Sequence, residues 1–108
     1  MKDDCLFCQI AHGDREKLVW ENDLAAAFRD IHPKAPVHVL VVPKIHLNSL
    51  DDEQDPQKLG QLMMAVKEVA KTLGIAGGYR VVINVGRSGG QVIYHLHVHI
   101  LGGKTFTD

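Results

Sequence analysis

Apolar residues recur along this chain with two periods, and the change from one to the other divides it into elements. Residues 4–12 place Leu6, Phe7 and Ile10 on one side of a short helix. Leu18 to Glu21 reads as a strand, Asn22-Asp23 as turn chemistry, and Leu24 to Arg29 as the returning strand of a hairpin. Pro33 and Pro36 make Ile31 to Pro36 a loop. Val37 to Val42 is a β-branched run that ends at Pro43, and it predicts a third strand. Asp51 to Asp55 is acidic and exposed in character. The clearest element is a helix over residues 56–73. Asp55 can cap it, Pro56 suits its first position, and Leu59, Leu62, Met63, Val66, Val69, Ala70 and Leu73 follow the helical period. Lys67 and Lys71 lie near its C-terminal end, and Gly74 stops it.

Tyr79 to Val85 and Val92 to Leu101 predict two more strands, linked through Gly86 to Gly90 as an antiparallel pair. The sum is an α+β fold: five mainly antiparallel strands with one long and one short helix. No internal repeat, low-complexity segment or linker divides the chain, so residues 1–108 are expected to form one domain. A domain of 108 residues buries only about two thirds of its unfolded surface, so an oligomer would gain stability from partner burial.

Composition narrows the function classes. Net charge is −1 with no basic block, which argues against a nucleic-acid groove but leaves room for a small phosphate ligand. No stretch reaches the roughly 18 apolar residues of a membrane span. Met1 to Asp4 has no apolar run behind it, so no signal peptide is expected and a cytoplasmic location follows. Histidine is the outlier, with seven in the chain.

His95, His97 and His99 alternate with Leu96, Val98 and Ile100. On a strand, the apolar set faces a core and the three imidazoles face the other way, neighbours about 6.6 Å apart and the outer pair about 13 Å. Two of them could share a metal, whereas strand geometry keeps all three from one ion. A polar solvent face would be served equally well by Thr, Lys or Glu, so strict alternation of histidine points to function. Imidazole titrates near neutral pH, and can be nucleophile, acid or hydrogen-bond donor in phosphoryl chemistry. Just upstream, Asn84 to Gln91 is a turn in which Gly89 and Gly90 permit close backbone approach, a candidate phosphate cradle. It is not a P-loop, because no Gly-Lys-Ser/Thr ending or helix follows.

His95-Leu96-His97-Val98-His99-Ile100-Leu101 resembles the signature of the histidine-triad family, and the resemblance runs from Cys5 to Gly103. Phe28-Arg29-Asp30-Ile31, Ala35-Pro36-Val37-His38, Val42-Pro43-Lys44 before His46, and Asn84 to Gln91 match in order and spacing. Leu101-Gly102-Gly103 is similar to the nucleotide-binding Hint branch and less like the dinucleoside polyphosphate hydrolases. The resemblance implies a homodimer that binds a purine nucleoside monophosphate or phosphoramidate and needs no organic cofactor. By position it implies His97 as nucleophile, His99 as the group that contacts phosphate and assists departure, and His38 as the residue that orients His97. It places backbone amides at Gly90 and Gln91 on phosphate oxygens, with Asn84 beside them. Asp30 would take the ribose hydroxyls, and Phe7, Ile10, Phe28, Ile31 and Leu40 would enclose the base. Val92 departs from the pattern, standing where some relatives carry a serine that reaches the phosphate or leaving group. The chain also ends soon after Gly103, so a tail contribution to a partner's site is expected to be reduced.

Cys5-Leu6-Phe7-Cys8 has the spacing of half a zinc site, although two small buried residues flanking a helix would look the same. A redox Cys-x-x-Cys fits less well, because the surrounding element order is not thioredoxin-like. The resemblance implies a closed structural zinc at Cys5, Cys8, His46 and His95. His12 and His32 read as surface residues. Three classes follow: a hydrolase of the P–N bond, with a dinucleoside polyphosphate hydrolase as its rival; a nucleotide-binding regulatory module with little turnover; and a zinc-stabilised interaction protein.

Overall fold

Antiparallel pairing joins every strand to its neighbours in the computed structural model, which describes residues 2–107. The elements are α1 (Leu6–Gly13), β1 (Leu18–Glu21), β2 (Ala25–Arg29), β3 (Val37–Pro43), α2 (Pro56–Thr72), β4 (Tyr79–Val82) and β5 (Val98–Gly102). A single turn of 3₁₀ helix, Leu50–Asp52, precedes α2. The sheet order is β1-β2-β3-β5-β4. This is the expected α+β architecture, with five strands and two helices.

Local chemistry accounts for the element ends. The Asn22 carboxamide oxygen accepts the amides of Leu24 and Ala25, closing the β1–β2 turn. The Asp55 carboxylate accepts the Gln57 amide at 2.9 Å, and Pro56 follows at the first helical position. Gly74, at φ 76°, turns the chain away after α2.

The alternation of β2, β3 and β5 builds a different layer on each face. Ala25, Ala27, Val39, Val41, Val98 and Ile100 pack with Leu96 under Leu62, Ala65, Val66 and Val69 of α2. Ala26, Phe28, Leu40 and Val42 face the other way and meet Phe7, Cys8, Ile10 and Ala11 of α1. The sequence placed Leu6 on the packed side of α1. It is half exposed, and Cys8 and Ala11 complete the buried stripe instead.

Two strands are shorter than expected. β4 ends at Val82 rather than Val85, and β5 begins at Val98 rather than Val92. His95 to His97 therefore lie outside the ladder, because their polar groups are taken elsewhere. The Leu96 amide donates to the Leu47 carbonyl at 2.7 Å. The His95 and His97 rings are drawn to bonds described below. Leu96 still reaches the α2 layer, so the two-sided pattern survives without the ladder.

Among the described residues, no helix is long and apolar enough to cross a membrane. Ile100 is fully buried at the centre of the α2 layer. Ile100→Ala should lower unfolding free energy by about 2–5 kcal/mol, read as a fall in the urea midpoint with unchanged slope.

Candidate active site and metal cluster

A groove of about 690 Å³ runs across the strands on the α1 face. Its floor steps from His97 and His99 at the β5 end, over Leu40 of β3 and Phe28 of β2, to Val19 of β1. Leu6, Phe7 and Ile10 of α1 form one wall, and Asp30, Ile31, His32 and Lys34 of the β2–β3 connection lie along another stretch. Asn84, Gly90, Val92 and Ile93 line the groove from the segment between β4 and β5. A smaller depression near Leu24, Ile45 and Leu62 has no imidazole, so the candidate chemistry belongs to the larger groove.

Hydrogen bonds fix which nitrogen of each ring is free. His97 Nδ1 lies 2.7 Å from the His95 main-chain carbonyl. A carbonyl only accepts, so Nδ1 carries the proton and Nε2 keeps its lone pair. The Lys34 amide donates to His38 Nδ1 at 3.0 Å, which leaves the proton of the neutral ring on Nε2. That proton is donated to His99 Nδ1 at 2.9 Å. His99 in turn holds its own proton on Nε2. The ring centroids of His97 and His99 are 5.0 Å apart. A lone pair and an N–H donor thus stand side by side.

His38 is consequently a partner of His99. Its expected role of orienting His97 is corrected, since the His95 carbonyl orients that ring. The shift arises from register: Leu40 is the β3 residue opposite His99, and His38 lies two positions away on the same face. The Asp30 carboxylate is 3.4 Å from His38 Nε2, and its other oxygen accepts the His32 amide. Burial lowers the His38 pKa against the opposing pull of Asp30. Burial, then His97 and His38, press His99 down to about 4.

The turn before the histidines is closed on itself. The amides of Gly89, Gly90 and Gln91 donate to Gly86, Arg87 and Gly86 carbonyls respectively. The Gly90 and Gln91 amides thus bond within the turn, and of the two residues only Gly90 lines the groove. Gln91 is buried and absent from the groove lining. Its side chain accepts the Gly86 amide and donates to the Asn48 and Ile93 carbonyls. Asn84 donates to the Gly89 carbonyl. Gly89 is needed for the turn itself, because a Cβ there would stand 2.2 Å from the Val85 carbonyl oxygen.

Cys5, Cys8, His46 and His95 form a second cluster, whose ligand atoms all lie within 4.8 Å of one another. Cys8 Sγ is 3.3 Å from His46 Nδ1, and both sulfurs are 3.4 Å from His95 Nδ1. Metal bonds of about 2.3 Å to sulfur and 2.1 Å to nitrogen give tetrahedral S···N edges near 3.6 Å, so the set fits zinc closely. The outer nitrogens agree. His95 Nε2 donates to the Pro43 carbonyl at 2.8 Å and His46 Nε2 to the Asn48 carboxamide oxygen at 2.9 Å. Both inner lone pairs are turned on the sulfurs, as metal-ligating histidines require. Burial keeps His95 neutral, with a pKa of about 4, and raises the Cys8 thiol. Asp30, His38 and His99 also converge, but His38 presents a protonated nitrogen there, which suits a hydrogen-bond chain better than a metal.

Pattern reading missed several groove residues. His32 was read as a plain surface residue and lines the groove while exposed; Lys34 supplies the amide that sets the His38 tautomer. His12, expected at the surface, is exposed there and bonds the Lys44 carbonyl at 2.7 Å, tying α1 to the residue after β3. No spacing signals these contacts, because each depends on chain folding between distant positions.

The chain is thus an antiparallel α+β domain that sets a histidine pair at one end of an apolar cross-strand groove. The chain belongs to the HIT domain family, whose model matches residues 13–106. It is 45% identical to an uncharacterized HIT-like protein of Synechococcus elongatus, over 97% of this chain and 95% of that one. It is similar to the HIT family hydrolase of Legionella pneumophila, with a TM-score of 0.88, 42% identity and 96% of each chain covered. A hypothetical histidine triad nucleotide-binding protein of Sulfolobus tokodaii matches with a TM-score of 0.77 and 42% identity, over 90% of this chain and 67% of that one.

Stability should depend on pH through His38 and His99. Their folded pKa values are depressed, so below the ordinary histidine value the unfolded chain binds more protons. The neutral rings' contribution is complete above about pH 6.5 and is lost as pH falls toward about 4. The urea midpoint should fall between pH 7.5 and pH 5, and His99→Gln should flatten that dependence. Equal midpoints at both pH values in the parent chain would contradict the buried neutral pair.

Proposed function

We propose that this chain hydrolyses the P–N bond of purine nucleoside 5′-phosphoramidates through a nucleotidyl group carried on His97. The observation that carries the reading is the free lone pair of His97 Nε2 beside the Nε2–H of His99, at one end of an apolar groove. His97 Nε2 attacks the α-phosphorus, the P–N bond breaks, and the amine departs with a proton from solvent or the site. Water then attacks the same phosphorus, the N–P bond to His97 breaks, and the nucleoside monophosphate leaves. Two displacements replace one harder one. The His99 Nε2–H donates to a phosphate oxygen as charge develops.

The buried Phe7, Phe28, Ile10 and Leu40 suit the faces of a purine, and Asp30 suits a ribose diol. Ile31 is 82% exposed at the groove and offers a base an apolar contact. A dinucleoside polyphosphate would bring further negative charge to the β5 end. There the segment between β4 and β5 contributes Asn84, Gly90, Val92 and Ile93, none of them charged, and Lys34 beside His38 and His99 is the nearest cation, which favours a leaving group with little added charge. The regulatory reading keeps one support, the apolar Val92 at the lip, 84% exposed. The Legionella relative, described as a hydrolase, favours turnover. A homodimer is part of the reading, because β4 leaves a sheet edge with Val81 exposed. Sedimentation should give about twice the chain mass.

His97→Ala should reduce kcat on an adenosine phosphoramidate about a thousandfold or more while nucleoside monophosphate still binds. Mass spectrometry after rapid quench of the parent chain should find a nucleotidyl adduct on His97. Near-normal turnover in His97→Ala would refute the nucleophile, and a monophosphate-binding chain without turnover would favour the regulatory reading.

The same reading gives zinc to Cys5, Cys8, His46 and His95 as a closed structural site. Protein purified without chelators should contain about one zinc per chain. A Cys5–Cys8 disulfide or metal-free protein would refute it.

A further inference from the structure

The metal cluster and the groove have no residue in common, but Phe7 and His95 connect them. Phe7 lies between the two cysteines, and its ring is edge-on to His97 at 5.1 Å and to Phe28 at 5.2 Å. It is also a groove wall. His95 offers its ring to the sulfurs and its main-chain carbonyl to His97 Nδ1. A displacement of His95 therefore moves the acceptor that orients the lone pair of His97.

α1 has eight residues, too few to persist as a helix without tertiary support. Its first turn is capped by the Cys5 sulfur, which accepts the Cys8 amide at 3.4 Å. Without a metal, the thiols and imidazoles exchange only weak sulfur hydrogen bonds. A bound metal fixes Cys8 of α1 and the N-cap residue Cys5 to His95 and to His46, which follows β3.

We propose that the metal cluster Cys5–Cys8–His46–His95 is a positioning element of the nucleotide groove, holding the Phe7 wall and the His97 ring through α1 and the His95 carbonyl. The proposal rests on the nucleotide reading of the groove. His95, Cys5 and Cys8 are positioning residues in it, since none touches the reacting atoms. Metal occupancy then sets nucleotide affinity and ring orientation, beyond holding the fold.

The test compares zinc-loaded protein with the same protein stripped by a chelator. Adenosine and guanosine monophosphate are titrated by calorimetry, and long-range ¹H–¹⁵N spectra report the His97 ring. The stripped chain is expected to keep its sheet by circular dichroism, to bind about tenfold more weakly or worse, and to lose the protected His97 Nδ1–H signal. Added zinc should restore both. Equal affinity together with unchanged His97 resonances would overturn the proposal, as would a chain that takes up no zinc. Should stripping unfold the chain, His46→Ala, which keeps three ligands and holds metal more weakly, is titrated with zinc while folded. Nucleotide affinity must then follow zinc occupancy, and a flat response overturns the coupling. If loaded protein binds neither nucleotide, the nucleotide reading fails, while the His97 resonances still decide whether the cluster positions the ring.

Discussion

The pairing of β5 with β3 is the constraint from which the rest of the molecule follows. Val39 opposes Ile100, and Leu40 opposes His99, so one register fixes which residues face each layer. A one-residue slip would exchange the faces, burying imidazoles under α2 and exposing Ile100 to the groove. The apolar faces of β2 and β3 specify the same answer, because Ala25, Ala27, Val39 and Val41 share the α2 layer. The histidine pattern is thus held in place by burial on the opposite side of the sheet.

Given that register, the second nitrogen of each imidazole sorts the histidines into roles. His95 and His46 donate outward to oxygen acceptors and turn lone pairs inward, toward sulfur. His97 donates to a carbonyl and turns its lone pair to the groove. His38 accepts from a main-chain amide and so can only donate onward, to His99. Five chemically identical side chains become metal ligands, a nucleophile candidate, a donor and a donor's support through neighbours that are mostly backbone. Burial reinforces the sorting by holding His95, His38 and His99 in the neutral form.

Much of this was legible in the residues alone. Hydrophobic period marked α2 and the central strands, and its alternation in residues 95–101 placed the imidazoles opposite the core. The Cys5–Cys8 spacing and His46 converge with His95 as the resemblance implied. Less legible were features set by tertiary hydrogen bonds. The early part of the expected last strand is drawn out of the ladder by Leu47, Pro43 and the cysteines. The partner of His38 depends on a diagonal across two strands. The glycine turn spends its amides on itself, and Gln91 props it from inside, although the sequence of that turn would equally suit an open anion site.

The direction of the hydrogen bonds at the β5 end has a stereochemical consequence. The two groove-facing nitrogens of His97 and His99 are of opposite type, one an electron-pair donor and the other a proton donor. A tetrahedral phosphorus seated between them presents its two non-bridging oxygens to unlike surroundings. The site is therefore handed, and replacing one of those oxygens by sulfur creates two diastereomers that meet it as different molecules.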